Sequence, residues 1–184
     1  MSPEPPKPPE LPRLVTERLE LVPQSLAAVR ALVEGREPGL PLAEGYPHAD
    51  TLDGMRLAAA HASEGEALGG WFILRRADGA VIGDLGTKGV VDERGRVEIG
   101  YGLSASFRRQ GYGGEAVSAL VSWLGTQPGV RAVTAEVEVG NDASRRLLER
   151  LGFVVEDTSE GSWWLARQVE PGMTRQDGWP WTPT

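Results

Sequence analysis

Seven consecutive residues, from position 108 to position 114, combine arginine, glutamine and glycine in a way that suits an anion. The glycines at 111, 113 and 114 let the backbone approach a ligand closely, because no Cβ stands in the way. A run with helical spacing follows, and the first N–H groups of a helix lack partners and attract negative charge. Arg108 and Arg109 add positive charge beside that helix start. The segment therefore predicts a phosphate-binding turn.

The spacing of this turn separates it from two common phosphate-binding motifs. It reads Arg108-Arg109-Gln110-Gly111-Tyr112-Gly113-Gly114. No Gly-Lys-Ser/Thr follows, which excludes a Walker loop. The third glycine follows the second directly, which excludes the dinucleotide pattern G-x-G-x-x-G. A plain tight turn is the alternative interpretation of this segment taken alone.

The composition excludes several other kinds of chemistry. The 184 residues contain no cysteine, so a disulfide, a thiolate zinc site and a cysteine nucleophile are all excluded. Only two histidines occur, His48 and His61, too few for a multi-histidine metal site. The net charge of -7 argues against non-specific nucleic-acid binding, and no apolar run approaches the ~20 residues that cross a bilayer. We therefore expect a cytoplasmic protein without a metal, a nucleic-acid partner or a membrane span.

The elements around the turn follow the order strand, turn, helix, strand, helix. Alternation predicts a strand from Arg96 to Leu103 that leads into the turn. Helical spacing after the turn is carried by five apolar residues, Ala116, Val117, Leu120, Val121 and Leu124. A strand follows, with alternating apolar residues at 133, 135, 137 and 139. A helix from Asp142 to Leu151 then ends at Gly152, a favoured C-terminal cap.

The beginning of the chain predicts one strand and two helices. Residues 16–22 read as an edge strand that ends at Pro23. Ser25 caps a helix that stops near Gly35. Residues 36–51 are rich in proline and glycine and read as a loop, and a second helix spans about residues 51–62.

Two further pairs of strands complete the predicted sheet. Strands at 71–74 and 81–85 flank Ala77-Asp78-Gly79, a strong hairpin signal. The last two strands lie near residues 153–156 and 162–168. The prediction is an α/β fold, in which a central mixed, mostly antiparallel twisted sheet is flanked by about four helices.

The composition divides the chain into three parts. Residues 1–13 form a proline-rich N-terminal arm with little apolar surface to bury. Residues 14–168 form one domain, and residues 169–184 form a C-terminal tail.

Three ordered motifs make the chain resemble the GNAT superfamily of acetyltransferases. The turn at 108–114 is similar to the signature R/Q-x-x-G-x-G/A of that superfamily. The segments Asn141-Asp142-Ala143-Ser144 and Leu151-Gly152-Phe153 are similar to its N-x-x-A/S…GF segment, and Glu98-Ile99-Gly100-Tyr101 to the strand before its turn. Together with Thr16-Glu17-Arg18-Leu19, the pattern resembles the Rim-type branch, which acetylates ribosomal-protein N-termini.

The resemblance implies the GNAT fold and acetyl-CoA as the acetyl donor, with no metal. Backbone groups of Tyr101, Gly102 and Leu103 would pair with the pantetheine arm along a splayed strand, and the Leu103 amide would polarise the thioester carbonyl. Residues 109–114 would hold the pyrophosphate, with Arg108 beside them. Asn141 would bond the pantetheine or the acetyl end, and it would also cap the helix that follows it.

Acetyl transfer to an amine requires a base and a proton donor within reach of the reacting atoms. Glu98 is the candidate base, because strand alternation places it on the same face as Gly100 and Gly102, which leave room for a ligand. Its alternative role is a solvated or salt-bridged strand residue. Many members of the superfamily protonate the departing thiolate with a tyrosine at the position that Leu148 occupies here. Ser144, earlier in the same helix, is the expected substitute.

The expected function is N-acetyl transfer directly from acetyl-CoA to a primary amine of a protein N-terminus or a small molecule. A catalytically silent acyl-CoA-binding module is the alternative, which the absence of a tyrosine at 148 favours. A longer acyl donor is a second alternative. The loops at 36–51 and 157–163 carry no recognisable motif, so the sequence leaves the acceptor open. A homodimer is compatible with the resemblance.

Overall fold

The computed structural model describes residues 11–62 and 69–169. Eight strands form one sheet: β1 Leu14–Val15, β2 Leu19–Pro23, β3 Gly70–Arg75, β4 Val81–Lys88, β5 Arg96–Leu103, β6 Ala132–Glu138, β7 Val154–Ser159 and β8 Ser162–Gln168. Four helices flank it: α1 Leu26–Val33, α2 Ala49–His61, α3 Tyr112–Gly125 and α4 Asp142–Arg150. The α/β architecture with four helices is confirmed. Most of the N-terminal arm (residues 1–10) and of the tail (residues 170–184) lies outside the described residues.

The sheet has the order β1-β2-β3-β4-β5-β6-β8-β7 and is antiparallel except for one pair of strands. The exception is the parallel pair β5–β6, which is joined only from Arg96 to Glu98 on the β5 side. β5 continues for five more residues, still paired with β4. β5 and β6 therefore diverge after Glu98, and a gap opens in the middle of the sheet. The mixed, mostly antiparallel sheet is as the sequence predicted.

Apolar side chains form two clusters, one on each side of the sheet. The larger cluster packs α3 and α4 against strand residues such as Val97, Ile99 and Val133. The smaller cluster packs α1 and α2 against Phe72 and Leu74 of β3. We call the side with α3 and α4 the helix α3–α4 face. We call the other side the open face, because α1 and α2 cover β3 and β4 there, whereas Glu98 on β5 lines a surface cavity.

The local signals for the first helix are confirmed. The Ser25 hydroxyl accepts a hydrogen bond from the Ala28 N–H at 3.1 Å and so caps α1. Gly35 follows the helix in a left-handed conformation, with φ of 70°. Among the described residues, no helix has the length and apolar character needed to cross a membrane.

Two predictions for the beginning of the chain were incomplete. The strand near residues 16–22 is not the edge of the sheet, because β1 pairs with β2 on its outer side. The predicted loop over 36–51 also contributes to the fold, since Leu42 forms an isolated bridge with Val81, and α2 begins at Ala49. These pairings depend on segments that meet only after folding, so local patterns do not reveal them.

Candidate active site

The glycine-rich turn places free backbone N–H groups at the start of α3. Gly111 precedes the helix with φ of 84°, a left-handed conformation that glycine adopts readily. The first helical hydrogen bond runs from the Glu115 N–H to the Gly111 carbonyl at 3.1 Å. The N–H groups of Tyr112, Gly113 and Gly114 therefore have no partner within the helix. This arrangement can bind an anion, as the sequence predicted.

The glycines of the turn have different surroundings. A Cβ at Gly114 would meet no atom within 4 Å, so this position opens onto free space. A Cβ at Gly113 would lie 3.0 Å from Leu147 Cδ1 of α4. Gly113 therefore allows α3 and α4 to pack closely, and the expectation that every glycine of the turn clears space for a ligand needs this correction.

The charged and polar residues of the turn divide into supports and one free cation. Arg108 Nε donates to the Leu103 carbonyl at 2.9 Å, and Gln110 Nε2 donates to the Ser106 carbonyl at 2.7 Å. Arg109 is exposed and makes no hydrogen bond or ion pair with the residues that the structure describes. Its backbone is left-handed, with φ of 62°, which costs a non-glycine residue about 1 kcal/mol. Arg109 is the cation that this turn presents to a ligand.

Arg18 braces the turn from the N-terminal strand region. Its Nε donates to Glu115 Oε2 at 2.7 Å, and its Nη1 donates to the Gln110 carbonyl at 3.0 Å. Its guanidinium also lies 4.5 Å from the centre of the Tyr112 ring. Thr16 adds a hydrogen bond to Glu115 at 2.6 Å. Partial burial opposes ionisation, but the hydrogen bonds from Thr16 and Arg18 hold the pKa of Glu115 below its usual range.

Sequence reasoning missed this brace, although the residues Thr16-Glu17-Arg18-Leu19 contributed to the resemblance. Arg18 and Glu115 are 97 positions apart, so no local spacing connects them. The sequence did show an arginine beside the first long strand and a glutamate in the first turn of α3, and these are the two residues that form the brace.

The free edge of β5 leads from the gap in the sheet to the turn. The Ser104 N–H bonds to the Ile82 carbonyl at 2.9 Å, and Gly102 pairs with Asp84. Backbone groups alternate in direction along a strand, so those of Tyr101 and Leu103 point into the gap. The expectation that Gly102 offers its backbone to a ligand is wrong for this reason, because its N–H and C=O face β4. Gly102 instead leaves space on the open face, because it has no side chain.

Two hydroxyl groups meet on the helix α3–α4 face beside the gap. Tyr101 Oη and Ser144 Oγ are 2.7 Å apart. Burial raises the pKa of Tyr101, which its contact with Ser144 only partly offsets. The Asn141 side chain accepts from the Ser144 N–H at 3.2 Å and so caps α4, which leaves its amide N–H₂ free to donate. The partnership of Tyr101 with Ser144 was not predicted, because 43 positions separate them.

Position 148, where the resemblance led us to look for a tyrosine, lies in the core of this protein. Leu148 is 0% exposed and belongs to the main hydrophobic cluster. A hydroxyl at this position would have to be buried among apolar groups, at a free-energy cost. Ser144 and Tyr101 instead supply a pair of hydroxyls on this side of the sheet.

The open face of β5 carries Glu98, as strand alternation predicted. Its carboxylate accepts from Lys88 Nζ at 2.8 Å, and its side chain is 26% exposed. A Cβ at Gly100 would lie 3.1 Å from Lys88 Cε, so this glycine leaves room for the lysine stem. A surface cavity of 320 Å³ opens at this end of the face, lined by Lys88, Asp92, Arg96, Glu98, Thr134 and Trp164. Glu98 is thus both ion-paired and accessible.

Comparison with known proteins places this fold and site in one family. The family model described as an acetyltransferase (GNAT) domain matches residues 18–154. This range contains the turn, the gap, Glu98 and Ser144. The chain belongs to the GNAT acetyltransferase family.

Two curated relatives from bacilli share part of the sequence. YjdG of Bacillus subtilis (strain 168), an uncharacterized N-acetyltransferase, is 36% identical over 89 residues, which are 48% of this chain and 53% of YjdG. The N-acetyltransferase p20 of Bacillus licheniformis, also uncharacterized, is 36% identical over 90 residues, which are 49% of this chain and 50% of p20. The chain thus spans about half the length of the curated relatives it matches.

Solved structures share the fold over most of the chain. RimL, a ribosomal L7/L12 alpha-N-protein acetyltransferase in complex with coenzyme A, has a TM-score of 0.61 and 19% identity, covering 87% of this chain and 99% of RimL. A GNAT-family acetyltransferase from Bordetella pertussis has a TM-score of 0.61 and 24% identity, covering 85% of this chain and 99% of that protein. Both likenesses establish the GNAT fold.

Proposed function

We propose that this protein transfers an acetyl group from acetyl-CoA directly to a primary amine. One observation carries the proposal: the unpaired edge of β5 runs from the gap in the sheet to the anion-binding start of α3. A ligand that suits both features is an extended chain with amide groups at one end and phosphates at the other. Acetyl-CoA has this form, and it supplies an activated acyl group as a thioester.

The residues of this chain that hold the donor are those with unpaired groups. The backbone of Tyr101 pairs with the pantetheine arm, and the Leu103 N–H polarises the thioester carbonyl as an oxyanion donor, while the Leu103 carbonyl is held by Arg108. The N–H groups at 112–114 and the Arg109 guanidinium bind the pyrophosphate. Asn141 donates its free amide N–H₂ to the same ligand.

The remaining polar groups move protons. Glu98 accepts a proton from the incoming ammonium group at the outer end of the open face. The Ser144–Tyr101 hydroxyl pair donates a proton to the departing sulfur on the other side of the strand. Without cysteine in the chain, transfer proceeds in one step from donor to acceptor and not through a cysteinyl intermediate.

The acceptor is a protein N-terminus or a small-molecule amine. The cavity beside Glu98 holds the carboxylates of Asp92 and Glu98 together with the cations Lys88 and Arg96, and the ammonium group of an acceptor can take the place of Lys88 at Glu98. RimL, whose fold this chain shares, is a protein N-terminal acetyltransferase. A protein N-terminus is therefore the first acceptor to test, followed by polyamines and amino acids.

A second candidate function is a silent acyl-CoA-binding module. Two observations favour it: Glu98 is already bound by Lys88, and Leu148 replaces the usual tyrosine within the core. Such a module keeps the turn and the gap and binds acetyl-CoA without transfer.

Release of free thiol from acetyl-CoA in the presence of an amine panel tests the proposal. Wild-type protein should release thiol with at least one amine and should melt at a higher temperature with acetyl-CoA. Gly114→Val should remove both effects, because its side chain enters the space in front of the free N–H groups. Gly54→Val is the matched control, since Gly54 is also helical with no atom within 4 Å of a Cβ.

The outcomes separate the candidates. A melting shift without thiol release would support the silent module. A full shift in Gly114→Val would remove the turn from the proposal, and the absence of any shift in the wild type would remove acetyl-CoA.

A further inference from the structure

His48 lies against the open face of β5 at Gly102. A Cβ on Gly102 would be 3.2 Å from His48 Cε1 and 4.0 Å from Thr51 Oγ1. The imidazole therefore covers a stretch of strand that carries no side chain of its own. Nε2 is bonded to Cε1 and lies just beyond the 4 Å shell that contains those two atoms.

A chain of hydrogen bonds fixes which nitrogen of His48 carries the proton. Thr51 Oγ1 donates to Asp84 Oδ2 at 3.1 Å, and His48 Nδ1 is 2.8 Å from the same hydroxyl. A hydroxyl has one proton, and Thr51 gives it to Asp84. While Asp84 is ionised, Nδ1 of His48 is therefore the donor to Thr51, and the lone pair of the neutral imidazole is on Nε2.

The Nε2 atom is a buried acceptor without a partner among the residues that the structure describes. Such an atom is costly in a folded protein unless a ligand satisfies it. The groups that hold the ring in place are also enclosed. Burial raises the pKa of Asp84, which its hydrogen bond from Thr51 partly offsets, and the Tyr46 ring packs edge-on to His48 with 6.1 Å between the ring centres. The ring is thus oriented by its neighbours, and its one free polar atom is at the strand.

The chemistry of the proposed reaction needs two proton acceptors. A primary ammonium has three protons on nitrogen and the amide product has one, so two protons leave while the carbon–nitrogen bond forms and the carbon–sulfur bond breaks. The hydroxyl pair gives one proton to the sulfur of coenzyme A and is reprotonated from solvent, while the two protons from nitrogen pass through their acceptors to solvent, so that one proton is released for each acetyl group transferred. Glu98 and Gly102 are four residues apart on β5, about 13 Å, which is too far for one carboxylate to serve both ends of the face directly.

We infer that His48 is a further catalytic residue, whose Nε2 accepts the second proton from the acceptor nitrogen at Gly102, with Thr51 and Asp84 as positioning residues. Glu98 receives the first proton where the ammonium enters, and His48 receives the second where the new bond forms. The inference rests on the proposed function, because it presumes an amine acceptor at the open face.

Nitrogen NMR of the two histidines tests the arrangement without any turnover. The chain has only His48 and His61, so His61→Gln assigns both imidazole signals. His48 should be protonated on Nδ1 with an unprotonated Nε2. The Nε2 signal should shift when coenzyme A and the best amine of the panel are added together. A proton on Nε2 in the free protein, or no shift with both ligands, would overturn the inference.

Kinetics of matched variants test the role in catalysis. His48→Gln should lower turnover ~10²-fold with an unchanged melting shift by acetyl-CoA, while His61→Gln, which changes an exposed ring bound to the Leu57 carbonyl, should not. Added imidazole should restore part of the rate of His48→Ala. The Thr51→Ser variant keeps the hydroxyl and should turn over faster than Thr51→Val. This comparison tests the role of His48 even if the His48 variants do not fold.

Failure of this inference and failure of the proposed function give different results. Thiol release by the wild type together with an unaltered rate in folded His48→Gln would leave acetyl transfer in place and remove His48 from it. The absence of thiol release by the wild type with every amine would remove the proposed function itself.

Discussion

The two faces of β5, a strand of eight residues, differ in burial: one is packed into the core and the other carries the proposed acceptor site. Toward α3 and α4, Val97, Ile99 and Leu103 are at most 9% exposed and pack into the main cluster. Toward the open face, the same strand presents Glu98, Gly100 and Gly102, all partly exposed. Successive side chains of a strand point to opposite faces, so neighbouring residues of β5 belong to different environments. A change on one face should therefore affect folding, and a change on the other should affect turnover.

The largest expected effect comes from the packed face. Ile99→Ala should lower the free energy of unfolding by about 2–5 kcal/mol, because it leaves a cavity beside α3. Denaturant unfolding measures the loss, and thiol release per folded molecule should stay near the wild-type rate. A large fall in that rate with little loss of stability would contradict the division between the faces.

The next largest effect comes from the open face. Glu98→Gln keeps the shape but removes the base, so thiol release should fall ~10²-fold near pH 7, with stability almost unchanged. The loss should shrink at high pH, where more of the amine is already deprotonated. Glu20→Gln is the matched control, since Glu20 is a strand glutamate of similar exposure, 30%, that is paired with Arg13. An unchanged rate at pH 7 would leave Glu98 as the partner of Lys88 alone.

A smaller effect is expected where the packed face contains polar groups. Ser144→Ala should lower kcat about tenfold without changing acetyl-CoA affinity, because the Tyr101 hydroxyl remains as a donor. Tyr101→Phe should act similarly, and the double variant should lose more than either. If Ser144 is only structural, its replacement should cost ~1 kcal/mol of stability and leave kcat alone.

The smallest effect concerns the support of the turn. The pKa of Glu115 is lowered in the folded state from 4.5, so its stabilising contribution is present above that pH and is lost as the pH falls below it. Glu115→Gln should therefore melt below the wild type at pH 7, by less than about 1 kcal/mol of stability, and the two should converge in acid. Glu149→Gln, which removes a more exposed ion pair on α4, is the matched control and should lower the melting temperature less at pH 7.

Much of the fold follows from short-range patterns. Alternation from Arg96 to Leu103 placed Glu98 opposite Val97 and Ile99, and the structure has that strand with the same bounds. The start of α3 at the glycine turn and the cap of α1 at Ser25 also follow from residue types over a few positions. Such features depend on backbone chemistry and on the periods of helices and strands, which the sequence displays directly.

The contacts that complete the site were decided by tertiary structure. Arg18 reaches Glu115 across 97 positions, Tyr101 meets Ser144 across 43, and Thr51 meets Asp84 across 33. Which side chains meet at such separations depends on how helices and strands pack, and the sequence pattern is the same for many packings. Packing likewise assigned Gly113 to the contact between α3 and α4 and enclosed Leu148. The sequence by itself determined most of the elements and the faces that they present, whereas only the folded chain decided the added edge strand β1 and which polar groups become partners.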